Sequence, residues 1–165
     1  MKSDQEFERM FCQEFRGLQE NLIWQNEAGE YEVFGKYRIA REKSGYRVWC
    51  SATDVGVFRG TRTALSWCIA DKHRSFNTAR EILNTDNKLT ALTHDIDSRA
   101  AMGDHSKDPA FREIILTKLE SKIIQKKLLE NQLTKCVNWA KYIQQQGFEN
   151  ETARTGRSQP NKTSR

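Results

Sequence analysis

YEVFGKYRIAREKSGYRVWCSATDVGVF, residues 31–58, decides the fold. Tyr31, Val33, Phe34, Tyr37 and Ile39, then Tyr46, Val48 and Trp49, are the aromatic and β-branched side chains that suit a pleated, half-buried surface. Lys43-Ser44-Gly45 between them is turn chemistry. The pattern predicts strands over residues 31–39 and 46–52, with a third short strand through Val55-Gly56-Val57-Phe58. A meander of two or three antiparallel strands is marginal alone and needs a helix over one face.

That helix follows directly. Thr61 or Thr63 is placed to cap it, and Ala64, Leu65, Cys68 and Ile69 form a compact stripe at helical period. Upstream, Ser3 followed by Glu6 matches a capping box. Phe7, Phe11, Phe15, Leu18 and Leu22 then put five large apolar groups on one face of an amphipathic helix over residues 3–24.

Downstream the chain changes character. Ser75 reads as an N-cap, and Phe76, Ala79, Ile82 or Leu83, Leu89, Leu92 and Ile96 form the seam of a helix over residues 75–101. A loop at 103–107 leads to Asp108-Pro109, a capping residue with proline at the first helical position. The last helix is expected from 109 to about 145, roughly 55 Å long. Its seam is Leu119, Ile123, Leu129, Leu133, Cys136, Ala140 and Ile143, interrupted at Lys126. The two helices pair as an antiparallel hairpin, but the second is the longer. Its unmatched apolar length predicts self-association or docking on a protein partner through Leu119, Ile123, Leu129, Leu133 and Ala140. From Gly147 the periodicity ends in Asn, Thr, Ser and basic residues, the composition of a disordered tail. The expected class is therefore α+β. A small module over residues 1–74 joins a helical hairpin over 75–146 and a basic tail over 147–165.

Composition limits the function. No run of about 18 apolar residues exists to span a membrane, and the acidic N-terminus, Met1-Lys2-Ser3-Asp4-Gln5-Glu6, has no apolar block of a secretory signal. Four cysteines, Cys12, Cys50, Cys68 and Cys136, form no paired motif and suit buried intracellular thiols. A zinc site of Cys50, Cys68 and His73 lacks the short ligand spacings such sites use. His94 and Asp97 share a helical face, but no second cluster completes a metal site. GxGxxG, GxxxxGK[ST] and GxSxG are all absent, so the sequence predicts no cofactor and no enzymatic activity.

The net charge of +5 is unevenly spread, acidic over residues 1–32 and basic over 35–62. Alternation along the strands would place Lys36, Arg38, Arg47 and Trp49 together on the solvent face of the sheet. Cations beside an exposed aromatic ring suit a DNA or RNA backbone and its bases. Lys118, Lys122 and Lys126, with Lys127, line one face of the last helix and read as a solvated, charge-balanced surface. Trp24, Trp67 and Trp139 stand beside apolar stripes and read as core.

Three stretches carry a resemblance: Phe34-Gly35-Lys36-Tyr37, Ala64-Leu65-Ser66-Trp67-Cys68-Ile69-Ala70-Asp71-Lys72 and Lys135-Cys136-Val137-Asn138-Trp139-Ala140-Lys141-Tyr142. They resemble stretches of uncharacterised proteins encoded by large tailed phages of marine bacteria. The resemblance covers about residues 31–145. It implies an infection-time or virion-associated role in a bacterial cytoplasm, and it carries over no functional residue. The expectation is a non-enzymatic binding or assembly protein, with nucleic-acid binding as the second reading.

Overall fold

The computed structural model describes residues 9, 11–15, 18 and 22–163. Five strands form one antiparallel sheet in strict sequence order: β1 (Ile23–Gln25), β2 (Tyr31–Val33), β3 (Tyr37–Glu42), β4 (Gly45–Cys50) and β5 (Thr53–Phe58). Three helices follow, α1 (Thr61–Lys72), α2 (Phe76–His105) and α3 (Pro109–Thr163). The class is α+β, as the sequence predicts.

The sheet has more strands than its sequence suggests. The expected strand over 31–39 is two strands. Phe34 (φ 55°) and Gly35 (φ 69°) both take left-handed backbone and reverse the chain, and Lys36 N–H donates to Val33 O at 3.2 Å. A left-handed Phe is unfavourable. Here its ring packs against the core, with the Lys72 ammonium 4.1 Å from the ring centroid.

The expected N-terminal helix does not reach residue 24. Residues 11–14 are helical, and Phe11, Phe15 and Leu18 are buried as the stripe requires. Its Ser3 and Glu6 cap and Phe7 lie outside the described residues. By Ile23 the chain is a strand, because Ile23-Trp24-Gln25 pairs with Tyr31-Glu32-Val33. The turn between them is closed by Asn26 N–H to Glu30 O (2.8 Å) and Glu30 N–H to Asn26 Oδ1 (2.9 Å).

Gly45 opens β4 after the two-residue turn Lys43-Ser44. At φ 148°, a Cβ there would stand 2.2 Å from the backbone oxygen of Phe58. The position requires glycine. A bulge between Val48 and Trp49 shifts the pairing with β5, opposite Gly56 at φ 139°.

The sheet's inner face meets α1, in which residues 64–70 are buried without interruption. A helix buried all round must be covered on every side. The sheet covers one side through the Tyr37–Trp67 and Phe58–Trp67 ring contacts, while α2 and α3 cover the other. The expected threonine cap is absent: Gly60 is the N-cap and makes no side-chain bond. One apolar cluster joins Phe15, Val33, Val48, Phe58, Ile69, Ile82, Val137 and Ala140. The boundary expected near residue 74 thus falls between elements that share a core.

In the hairpin, Asp108 Oδ1 accepts from Ala110 N–H at 3.0 Å, so the Asp-Pro start forms as read. The end near 145 does not hold: backbone helix runs on through Gly147 and continues to Thr163. Gly147 is a packing residue there. A Cβ at 147 would stand 2.6 Å from His73 Cε1, and one turn earlier the buried Gln144 Oε1 lies 2.9 Å from His73 Nε2. A single glycine costs a helix about 1 kcal/mol, too little to stop one that is packed. Among the described residues no helix is long and apolar enough to cross a membrane.

Candidate functional site

The outward face of the sheet is built by register. Trp24 pairs with Glu32, Glu32 with Arg38, and Arg38 with Trp49, so four side chains form a row across β1 to β4. Trp24 Nε1 donates to Glu32 Oε2 at 2.7 Å, and the Arg38 guanidinium lies 4.3 Å from the Trp49 ring centroid. Arg47 stands one step away, opposite Ala40. The structure therefore brings Arg38, Arg47 and Trp49 to one face, as alternation demands.

Lys36 departs from that expectation. It sits in the β2–β3 turn, and its ammonium leans toward Tyr37, 5.6 Å from a ring that belongs to the buried face. Arg47 is held between Glu42 Oε1 (2.6 Å) and Asp54 Oδ2 (2.7 Å), and these carboxylates raise its already high pKa. Glu30 lies 3.7 Å from Arg38. The face is a mixed-charge surface carrying two indoles. Trp24 stands on this face and not in the core, because residues 23–25 form a strand rather than the end of a helix.

The long helix presents two faces. Inward, Ile115, Leu119, Cys136, Val137 and Ala140 are buried, and Leu129 and Leu133 are half-buried. Leu119 is buried and Leu129 half-buried, while Leu133 and Ala140 join the apolar cluster shared with α1 and the sheet. Ile123 does not belong to that seam, being 52% exposed. Its expected place is taken by the partly buried Lys122, whose Nζ lies 2.5 Å from Asp95 Oδ2 on α2. Outward, Ile114, Leu116, Ile123, Ile124 and Leu128 are each more than half exposed. Further along, Trp139 and Tyr142 stack on one another at 5.3 Å and are also exposed, where the sequence placed Trp139 in the core.

The remaining candidates resolve into structural roles. Of the lysine series, Lys122 bridges the hairpin while Lys118 and Lys127 are exposed. Asp95 also binds Arg99 at 3.1 Å, and these two cations hold its carboxyl below the usual range. His73 faces Gln144, and Cys50 Sγ lies 4.0 Å from Asp71 Oδ2. The Tyr37 hydroxyl donates to that same oxygen at 2.5 Å. Burial first, and the Asp71 carboxylate second, push the phenol pKa far up. No group of three or more His, Cys, Asp or Glu side chains among the described residues could hold a metal ion. Gly103, Asp104, Arg112 and Ile115 border a cavity of about 350 Å³ at the closed end of the hairpin.

No protein-family model matches the chain, and no curated protein or solved structure matches it.

Proposed function

We propose that this chain is a non-enzymatic binding or assembly protein that docks on a protein surface through the outward face of α3. The supporting observation is the set Ile114, Leu116, Ile123, Ile124 and Leu128, exposed within fifteen residues of one helix whose inner face is already covered. Burying such side chains is favourable by about 25 cal/mol per Å² of apolar area. A chain that leaves them in water has a use for them when a partner arrives. An infection-time or virion-associated setting, which the resemblance implies, suits an assembly role. The test is the mass in solution of the wild type and of an Ile124→Asp, Leu128→Asp double variant, by light scattering on a sizing column. The reading expects a complex, with itself or with an added partner, that the variant cannot form. A variant that assembles as the wild type does would refute it.

A second reading, DNA or RNA binding, draws on the Arg38–Trp49 stack beside Trp24 on an exposed sheet face. Aromatic rings with a cation suit unpaired bases and phosphate. Its test is Arg38→Glu with Trp49→Ala, scored by affinity for a short mixed-sequence single strand at two salt concentrations. Salt-independent affinity, or none at low salt, removes this reading.

A further inference from the structure

The partner that best fits the outward face of α3 is a second copy of α3 running the opposite way. This inference rests on the docking reading above and specifies it.

Glu120 and Lys127 are both exposed, and neither has an ion-pair partner among the described residues. They stand seven residues apart, two turns along one edge of the helix, which is too far for them to pair with each other. Beside that edge runs the strip Thr117, Ser121, Ile124, Leu128, at alternating spacings of four, three and four. This is the period at which one helix seats against another.

Two positions one heptad apart occupy the same edge of such a strip. When two identical helices pack antiparallel, like edges face each other, so residue 120 of one chain meets residue 127 of its mate. The twofold axis then passes near residue 123, and each chain supplies one Glu and one Lys to two equivalent ion pairs. A parallel pairing offers no such match. In the antiparallel register the small Ser121 faces the partner copy's Ile124, and Thr117 faces its Leu128, so large side chains meet small ones across the seam. The patch is self-complementary, as a twofold interface requires.

We infer that the chain forms an antiparallel homodimer through residues 114–128 of α3, held in register by Glu120 and Lys127 of opposite copies. The experiment compares Glu120→Lys, Lys127→Glu and the two together with the wild type, by light scattering over a range of concentrations at low salt. Circular dichroism serves as the folding control. Each single reversal sets two like-charge pairs face to face and should weaken the dimer at least tenfold. The combined reversal should restore it, and high salt should narrow the differences. A chain that is monomeric at high concentration overturns the inference, as does a dimer that the combined reversal fails to rescue. If the dimer ignores the reversals yet dissolves on Ile124→Asp with Leu128→Asp, this pairing falls while the docking reading survives. A dimer indifferent to all of these variants removes both.

Discussion

Lys122 Nζ and Asp95 Oδ2 lie 2.5 Å apart across the helical hairpin, and that contact shows which way α3 faces. With Lys122 turned inward, Ile123 and Ile124 are turned out. Replacing a partly buried ion pair by an apolar side chain is often neutral or stabilising. Lys122→Leu should therefore keep the melting temperature or raise it by a few degrees. Leu119→Asp, one turn away and buried, should cost about 2–4 kcal/mol by denaturant unfolding. Equal losses at the two sites would mean that the hairpin packs on a different face.

Gly147 offers a second check. In an exposed helix, Gly→Ala gains about 1 kcal/mol. Here the new methyl would press on the His73 ring, 2.6 Å from Cε1. Gly147→Ala should bring no gain or a loss, and the ordinary gain should return when His73→Ala is added. Additive effects of the two changes would show that the ring and the helix do not touch.

Asp86 should tie stability to pH. Its side chain is fully buried on α2, where Oδ2 accepts from Arg59 N–H at 3.1 Å and Oδ1 has no hydrogen-bond donor among the described residues. Burial pushes its pKa above the ordinary 3.8, and the Arg59 amide and charge pull it only partly back. The folded chain therefore binds this proton more tightly than the unfolded chain. Its contribution is most favourable below about pH 4 and is lost as pH rises through the folded pKa. Asp86→Asn removes that titration. Urea unfolding from pH 4 upward should show the wild type declining relative to the variant. Parallel curves would count against the assignment.

The thiols should divide by burial. Cys68 is fully buried and its pKa is raised, and Cys136 is pushed up to about 11 by burial and by the Glu81 carboxylate beside it. The thiolate is the reactive form. In the native protein at pH 8 both should resist a disulfide reagent, while Cys12 and Cys50, partly exposed, react first. Four equally fast thiols would contradict this core.

Signals that act locally were legible in the sequence. Asp108-Pro109 marked a helix start because capping needs only its neighbours, and the strand alternation set Arg38, Arg47 and Trp49 on one face before any fold was known. Signals that depend on distant packing were not. Phe34 reads as a strand residue until the core that holds it in left-handed backbone is present. Gly147 reads as an end until His73 fills the space above it. Ile123 outranks Lys122 on hydrophobicity, and only Asp95 on the facing helix reverses that order. The outward face of α3 is hidden in the sequence for the same reason: the inward seam is the stronger period, and it masks the second strip beside it.

The strand order has a consequence for the order of synthesis. Each strand pairs only with its neighbour in sequence, so the whole sheet is specified once Phe58 has left the ribosome. The helix that seals it, α1, is buried over residues 64–70, and part of its cover is Val137 and Ala140, about seventy residues later. For that interval a nascent chain carries a finished sheet under an unsealed apolar helix. Chains stopped near residue 105 should therefore be captured by chaperones or aggregate, while the full chain matures only when its last long helix folds back over its first.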